Sequence, residues 1–179
     1  MSSNDLPQSK RHITTNDKNG ISTFSSDISS NPPSRTLPDG LKIAFCYGSG
    51  QFPVELNGNN DLESYQYLID NPPGIVVEKG VVFRIIDFPP GYTSAMHRSI
   101  SVNFNVVIEG QLELILDGGE RRILDRGDSA IQRAVNHTWR NTSTVEWARL
   151  AAVPIPAEPL HFAGLAVQES GVAGMAASS

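Results

Sequence analysis

The sequence predicts an all-β sandwich or barrel, on three observations. From residue 81 onward, short apolar stretches recur at roughly ten-residue spacing, separated by Gly/Asp or Pro turns. Within them apolar and polar residues alternate with the period of two that a half-buried strand requires. The 179 residues are one domain's worth of chain, long enough for a substantial core, and show no internal repeat.

Residues 1–38 are rich in Ser, Asn, Asp, Thr and Pro and are expected to form a flexible N-terminal arm. Its stretch His12-Ile-Thr-Thr15 could add an edge strand to a neighbouring chain. The folded domain is expected over 39–159 and a C-terminal tail over 160–179. Lys42 to Tyr47 reads as a strand ended by Gly48-Ser-Gly50. Leu62 to Asp70 reads as a short helix, capped by Asn60 or Asp61 and stopped by Pro72-Pro73. Val81 to Phe88 is a strand that Pro89-Pro90-Gly91 ends, and Arg98 to Ile108 is the next. Gln111 to Asp117 sets Leu112, Leu114 and Leu116 on one face, and Asp117-Gly118-Gly119 turns it into Arg121 to Leu124. Ala130 to Gln132 and His137 to Arg140 are short strands, and Val145 to Val153 closes the series before Pro154 and Pro156. The small-residue tail after Pro159 is expected as one frayed helix.

Composition excludes several function classes. A net charge of -5 and a pI near 5.3 leave no basic surface to neutralise phosphates, so nucleic acid is not an expected partner. The single Cys46 excludes an internal disulfide and is expected to pack as a small apolar residue. No phosphate-binding loop, and no nicotinamide or flavin fingerprint, is present. No apolar run approaches the roughly 18 residues of a membrane span. The N-terminus lacks an apolar signal core, which makes the cytoplasm the expected location.

Strand periodicity gathers the chemistry-bearing residues. His97, Ser99, Ser101, Asn103 and Asn105 share one strand face, while Ile100, Val102, Phe104 and Val106 share the other. The polar row either faces solvent over an apolar core or lines a cavity with the apolar row outside. His137 and Trp139 also share a face. If both faces look inward, His97 and His137 converge. Two imidazoles of this kind would serve with a third ligand as a metal site, as an acid/base pair, or as satisfied core histidines. Gln132 and Asn136 are placed at the cavity mouth.

The segments beginning at Gly91 and Gly127 resemble the two signature motifs of the cupin superfamily. The first motif reads Gly, five residues, His-x-His, three or four residues, Glu, six residues, Gly. Gly91, His97 and Gly110 match it; Ser99 replaces the second His and Asn103 the Glu. The second motif reads Gly, a Pro-x-Gly turn, His, three residues, Asn. Gly127, His137 and Asn141 match it, while Arg133-Ala-Val replaces the turn and the spacing is one residue shorter. Further runs, among them Met96-His-Arg-Ser-Ile-Ser101, Asn136-His-Thr-Trp-Arg-Asn141 and Glu146-Trp-Ala-Arg149, are similar to small single-domain fungal cupins. That similarity extends from about Lys10 to Pro159.

The resemblance implies a single jelly-roll cupin β-barrel with the polar row inside, one or two short helices, and a homodimer. It implies an accessory, oxidoreductase-type enzyme of polyketide or aromatic-aldehyde biosynthesis, with His97 and His137 as catalytic residues. Ser99, Asn103, Gln132 and Trp139 would hold a small polyketide-like substrate. His97, His137 and Asn103 would ligate a divalent metal such as Fe, Mn, Ni or Zn. The reaction would be oxidation, or dehydration and aromatisation by the histidines. A metal-dependent decarboxylase and a non-catalytic small-molecule binding barrel are the alternatives.

Overall fold

Turn chemistry and alternation organise the chain into thirteen strands and one α-helix, in a computed structural model that describes residues 6–178. β1 (Thr14–Asn16) and β2 (Ser22–Phe24) form a hairpin whose turn is held by the Asp17 carboxylate, which accepts from the Asn19 and Ile21 N–H groups. β3 (Ser34–Thr36) pairs with β4 (Lys42–Ser49), so one hairpin of the large sheet crosses residue 38, the expected end of the arm. α1 (Asn60–Asp70) follows, preceded by Asn59 in a left-handed conformation and with no side-chain cap. It buries Leu62, Tyr65 and Leu68, and Tyr65 donates its hydroxyl to the Phe45 carbonyl.

Next come β5 (Val81–Phe88), β6 (Ser101–Glu109), β7 (Leu112–Leu116), β8 (Arg121–Leu124), β9 (Ser129–Arg133), β10 (His137–Asn141) and β11 (Ala148–Pro156). They form a six-stranded sheet, ordered β3-β4-β5-β11-β6-β9, and a three-stranded sheet, ordered β10-β7-β8, with every pairing antiparallel. Leu41, Ile43, Phe88, Val107, Leu112, Trp139 and Leu150 form the core between them. Fully burying one such aliphatic side chain contributes roughly 1.5–3 kcal/mol. Gly110 is required where β6 turns into β7. Its φ is +71°, and a Cβ there would lie 2.9 Å from the Trp147 carbonyl oxygen. Cys46 is buried, and that burial pushes its thiol pKa up, in keeping with a packing role.

Two expectations are corrected. β11 runs on through Pro154 and Pro156 instead of stopping before them. β5 pairs only with Ala148–Ala152, so beyond that point β11 has β6 as its one strand neighbour, and a missing N–H on the other side costs no ladder bond. The tail is not a helix. β12 (His161–Phe162) and β13 (Leu165–Ala166) form a small ladder, and the chain then runs back until Val172 and Met175 pack on the core. Gly164 and Gly174 adopt positive φ there, which an α-helix does not allow. Among the described residues no helix is long and apolar enough to cross a membrane.

Candidate functional site

The two motif histidines face each other across an antiparallel bridge. After Gly91, at φ +70°, the chain runs beside β10, with Thr93 opposite Arg140 and His97 opposite His137. The His97 N–H donates to the His137 carbonyl and the His137 N–H to the His97 carbonyl, both at 2.9 Å. Directly opposed residues in such a pair present their side chains to the same face. The rings accordingly meet with centroids 4.2 Å apart and planes inclined by 51°.

Each ring is oriented by its own backbone. His97 Nδ1 lies 3.0 Å from the Ala95 carbonyl oxygen, and His137 Nδ1 lies 3.1 Å from that of Val135. A carbonyl can only accept, so both Nδ1 atoms carry the proton and both Nε2 atoms keep a lone pair. Burial lowers the pKa of His97, against the opposing effect of its bond to Ala95. Burial, and then the charge that His97 would carry, push His137 down to about 4. At neutral pH the site is therefore a pair of neutral imidazoles with unprotonated Nε2 atoms.

Both histidines line a cavity of about 90 Å³ between the sheets. Asn103, Gln132 and Trp139 also line it, as the sequence predicts; Ser99 does not. The Ser99 hydroxyl is buried against the Ser101 hydroxyl at 2.7 Å, and Ser101 in turn donates to Asn103 Oδ1 at 2.6 Å. The polar row is thus the inward one: Ser99, Ser101 and Asn105 are each no more than 3% exposed, while Phe104, at 45%, and Val106, at 40%, face outward. Asn136 is not among the lining residues. Trp139 packs edge-on to His137, with centroids 6.3 Å apart. Val172 and Met175 from the tail also line the cavity.

The second motif's Asn141 has a different task. Its amide nitrogen approaches the carbonyls of Phe88, Pro89 and Glu146 at 2.8–3.1 Å, and its oxygen accepts the Ser143 N–H at 3.0 Å. It ties the end of β5 to the turn before β11 and does not reach the cavity wall.

The donor set does not fit a catalytic divalent metal. Such centres take three protein ligands. Among the described residues no third His, Cys, Asp or Glu joins the pair. The Asn103 amide oxygen already accepts the Ser101 hydroxyl.

Asn105 of the polar row lines the cavity too, while sequence reasoning missed Arg84, Tyr92 and Ser94 on its wall. Arg84 had a signal. In β5 it shares a face with Val82, Ile86 and Phe88, so it is the one charged residue at an inward position of an otherwise apolar row. Tyr92 donates its hydroxyl to Asp39 at 2.6 Å; burial, reinforced by that bond, raises its pKa.

Comparison with known proteins places these features. Residues 84–153 match the family model described as "Cupin domain". The chain is 38% identical over 160 residues to phomopsin biosynthesis cluster protein D of Diaporthe leptostromiformis, covering 89% of this chain and 85% of that protein. It is 38% identical to oryzines biosynthesis cluster protein J of Aspergillus oryzae, covering 93% of each. It is 44% identical over 135 residues to the cupin-domain-containing oxidoreductase fogC of Aspergillus ruber, covering 74% of this chain and 64% of that protein.

Proposed function

The chain belongs to the cupin-domain proteins of fungal biosynthesis clusters, and we propose that it is a tailoring enzyme acting on a small oxygenated intermediate by histidine-mediated proton transfer. One observation carries this reading: two neutral imidazoles, each fixed by a backbone carbonyl, present free Nε2 atoms to one apolar-walled cavity. The family supplies the setting, since relatives of this chain are named as biosynthesis cluster proteins and as cupin-domain oxidoreductases.

The chemistry follows from the pair. One Nε2 takes a proton from a carbon alpha to a carbonyl, and the C–H electrons form a carbon–carbon double bond. A hydroxyl on the next carbon leaves with the C–O electrons and receives the proton from the imidazolium as water. The enzyme ends unchanged and the product is lighter by one water. An imidazole whose pKa is depressed is a modest base but a strong acid once charged, which suits the second half of the step. Burial and mutual repulsion keep the two rings from both being cationic at once. In a ring that already carries the rest of the unsaturation, a dehydration of this kind completes an aromatic system.

The test is complementation of a strain lacking this protein with the parent chain, His97→Ala and His137→Ala, with metabolites followed by mass spectrometry. The expected result is loss of the product with either variant and accumulation of a precursor heavier by one water. Metal analysis of tag-free protein runs alongside, with histidine-independent metal content expected. Normal product from the folded double variant, or near-stoichiometric metal lost with either histidine, refutes the reading.

A further inference from the structure

We propose that the cavity is built for an acid: Arg84 binds a carboxylate of the substrate, and the Gln132 side-chain N–H donates to a second oxygen of the same molecule. This rests on the reading of the cavity as the substrate site but not on which reaction follows.

Arg84 is the one charged side chain on the cavity wall, and no Asp or Glu among the described residues lines it. It is 5% exposed. Two of its five N–H donors go to the Gly74 and Ile75 carbonyls, the latter at 2.7 Å, and its guanidinium carbon lies 5.8 Å from the Phe45 ring centre. Carbonyls and a ring face solvate a cation without neutralising it. Among the described residues no carboxylate pairs with Arg84, and the charge that acts on it is that of another cation, Arg35. Its pKa, lowered by burial to about 10, still leaves it charged at neutral pH. An unpaired buried charge is costly, and the carbonyl contacts alone would be served by a neutral amide. The charge itself calls for an anion, and the planar guanidinium fits a carboxylate with two parallel N–H bonds.

Gln132 supplies an independent observation. It is 4% exposed, and its Nε2 is buried with no acceptor. Its orientation is fixed through its neighbour. Asn105 Nδ2 donates to the Ala130 carbonyl at 3.3 Å, which identifies that atom as nitrogen, and the same nitrogen donates to Gln132 Oε1 at 2.9 Å. The unsatisfied Gln132 N–H groups therefore require an oxygen from outside the chain.

The sheet leaves room between the two. Along one cross-sheet row Arg84 pairs with Ala152, and Ala152 with Asn105. At about 4.8 Å per strand, Arg84 and Asn105 stand about 10 Å apart, and the residue between them is a single methyl group. Gln132 lies one strand further, opposite Asn103. A short molecule with a carboxylate at one end and a carbonyl oxygen toward the other spans this interval. Its apolar middle would meet Ile86, Phe88 and Leu150, and its reacting carbons the histidines.

The 4-formyl derivatives of benzoate and benzamide, equal in size, differing in charge and each carrying a second oxygen for Gln132, are the probes, with binding followed by ligand-observed NMR titration at neutral pH. The parent chain is expected to prefer the benzoate by about tenfold or more. Arg84→Gln retains amide donors for the Gly74 and Ile75 carbonyls and is expected to abolish the preference. Gln132→Glu replaces the orphan donor with a like charge and is expected to weaken the benzoate more than the benzamide; should one variant fail to fold, the other decides. His97→Ala and His137→Ala are expected to keep the preference. That separates the two readings: the preference can persist in variants whose product is unaffected, which would fault only the proton-transfer reading. Absence of binding by the benzoate, equal binding of the two probes, or an unchanged preference in the folded Arg84 or Gln132 variant overturns the proposal.

Discussion

Acid should destabilise this protein through His137. The side chain is 3% exposed, and its pKa in the folded chain is about 4, against an ordinary value of 6.5. Between those values the unfolded chain binds a proton that the folded chain does not. The stability this burial confers on the neutral ring is thus complete above pH 6.5 and is lost as the pH falls toward 4. Over about 2.5 pH units, at about 1.36 kcal/mol each, the loss reaches roughly 3 kcal/mol. His97 is shifted in the same direction and adds to the slope. His137→Gln removes the titrating ring while keeping an amide donor for the Val135 carbonyl. Urea denaturation midpoints of parent and variant, taken across this window, read the effect of the pair, because contributions from groups remote from it cancel in the difference. The parent curve should fall away from the variant curve below about pH 6.5 and diverge by roughly 3 kcal/mol at its acid end. Parallel curves, or a gap that narrows as the pH falls, would refute a neutral, buried His137.

Two further outcomes test the surroundings of the site. Asn141→Ala should cost roughly 2–3 kcal/mol, and Asn141→Asp should cost more, because it turns an oxygen toward the Phe88, Pro89 and Glu146 carbonyls; thermal unfolding of both variants checks the order. We also expect two copies of the chain to pair through the outward apolar row of Phe104, Val106, Ile108 and Ile131. Phe104→Glu should then convert a dimer to a monomer in light scattering, with the fold retained.

Much of the fold was legible because its signals are local. Alternation and turn residues mark β5 and β8 at their observed limits, and the apolar and polar rows of β6 lie on opposite faces as the period of two demands. The histidine pair was legible through motif spacing, and the inward direction of its polar row through the cupin resemblance, because alternation alone does not say which face is inside. The bridge that joins the histidines pairs the first residue of β10 with His97, which lies before β6 and outside any strand, so no periodicity announces it. Pro154 misled because a proline is judged by whether its N–H side is paired, which depends on the length of β5 and not on β11. The tail misled for a related reason. Its small residues suit a helix locally, and the groove that receives Val172 and Met175 is made by distant parts of the chain.

The departures from the cupin motifs at Ser99 and Asn103 change what the cavity attracts. A carboxylate beside two imidazoles concentrates negative charge and favours a cation. Here the carboxylate's place is held by a neutral amide bonded to Ser101, and Ser99 is turned into the same hydroxyl chain. Arg84 then leaves the wall with one positive charge and no acid to balance it. A divalent cation entering such a site would meet repulsion from Arg84 and find two neutral nitrogen donors. An organic anion would meet attraction from the same group, at short range and in a medium that screens little. Substrate charge and the missing metal ligands are therefore two consequences of one electrostatic arrangement.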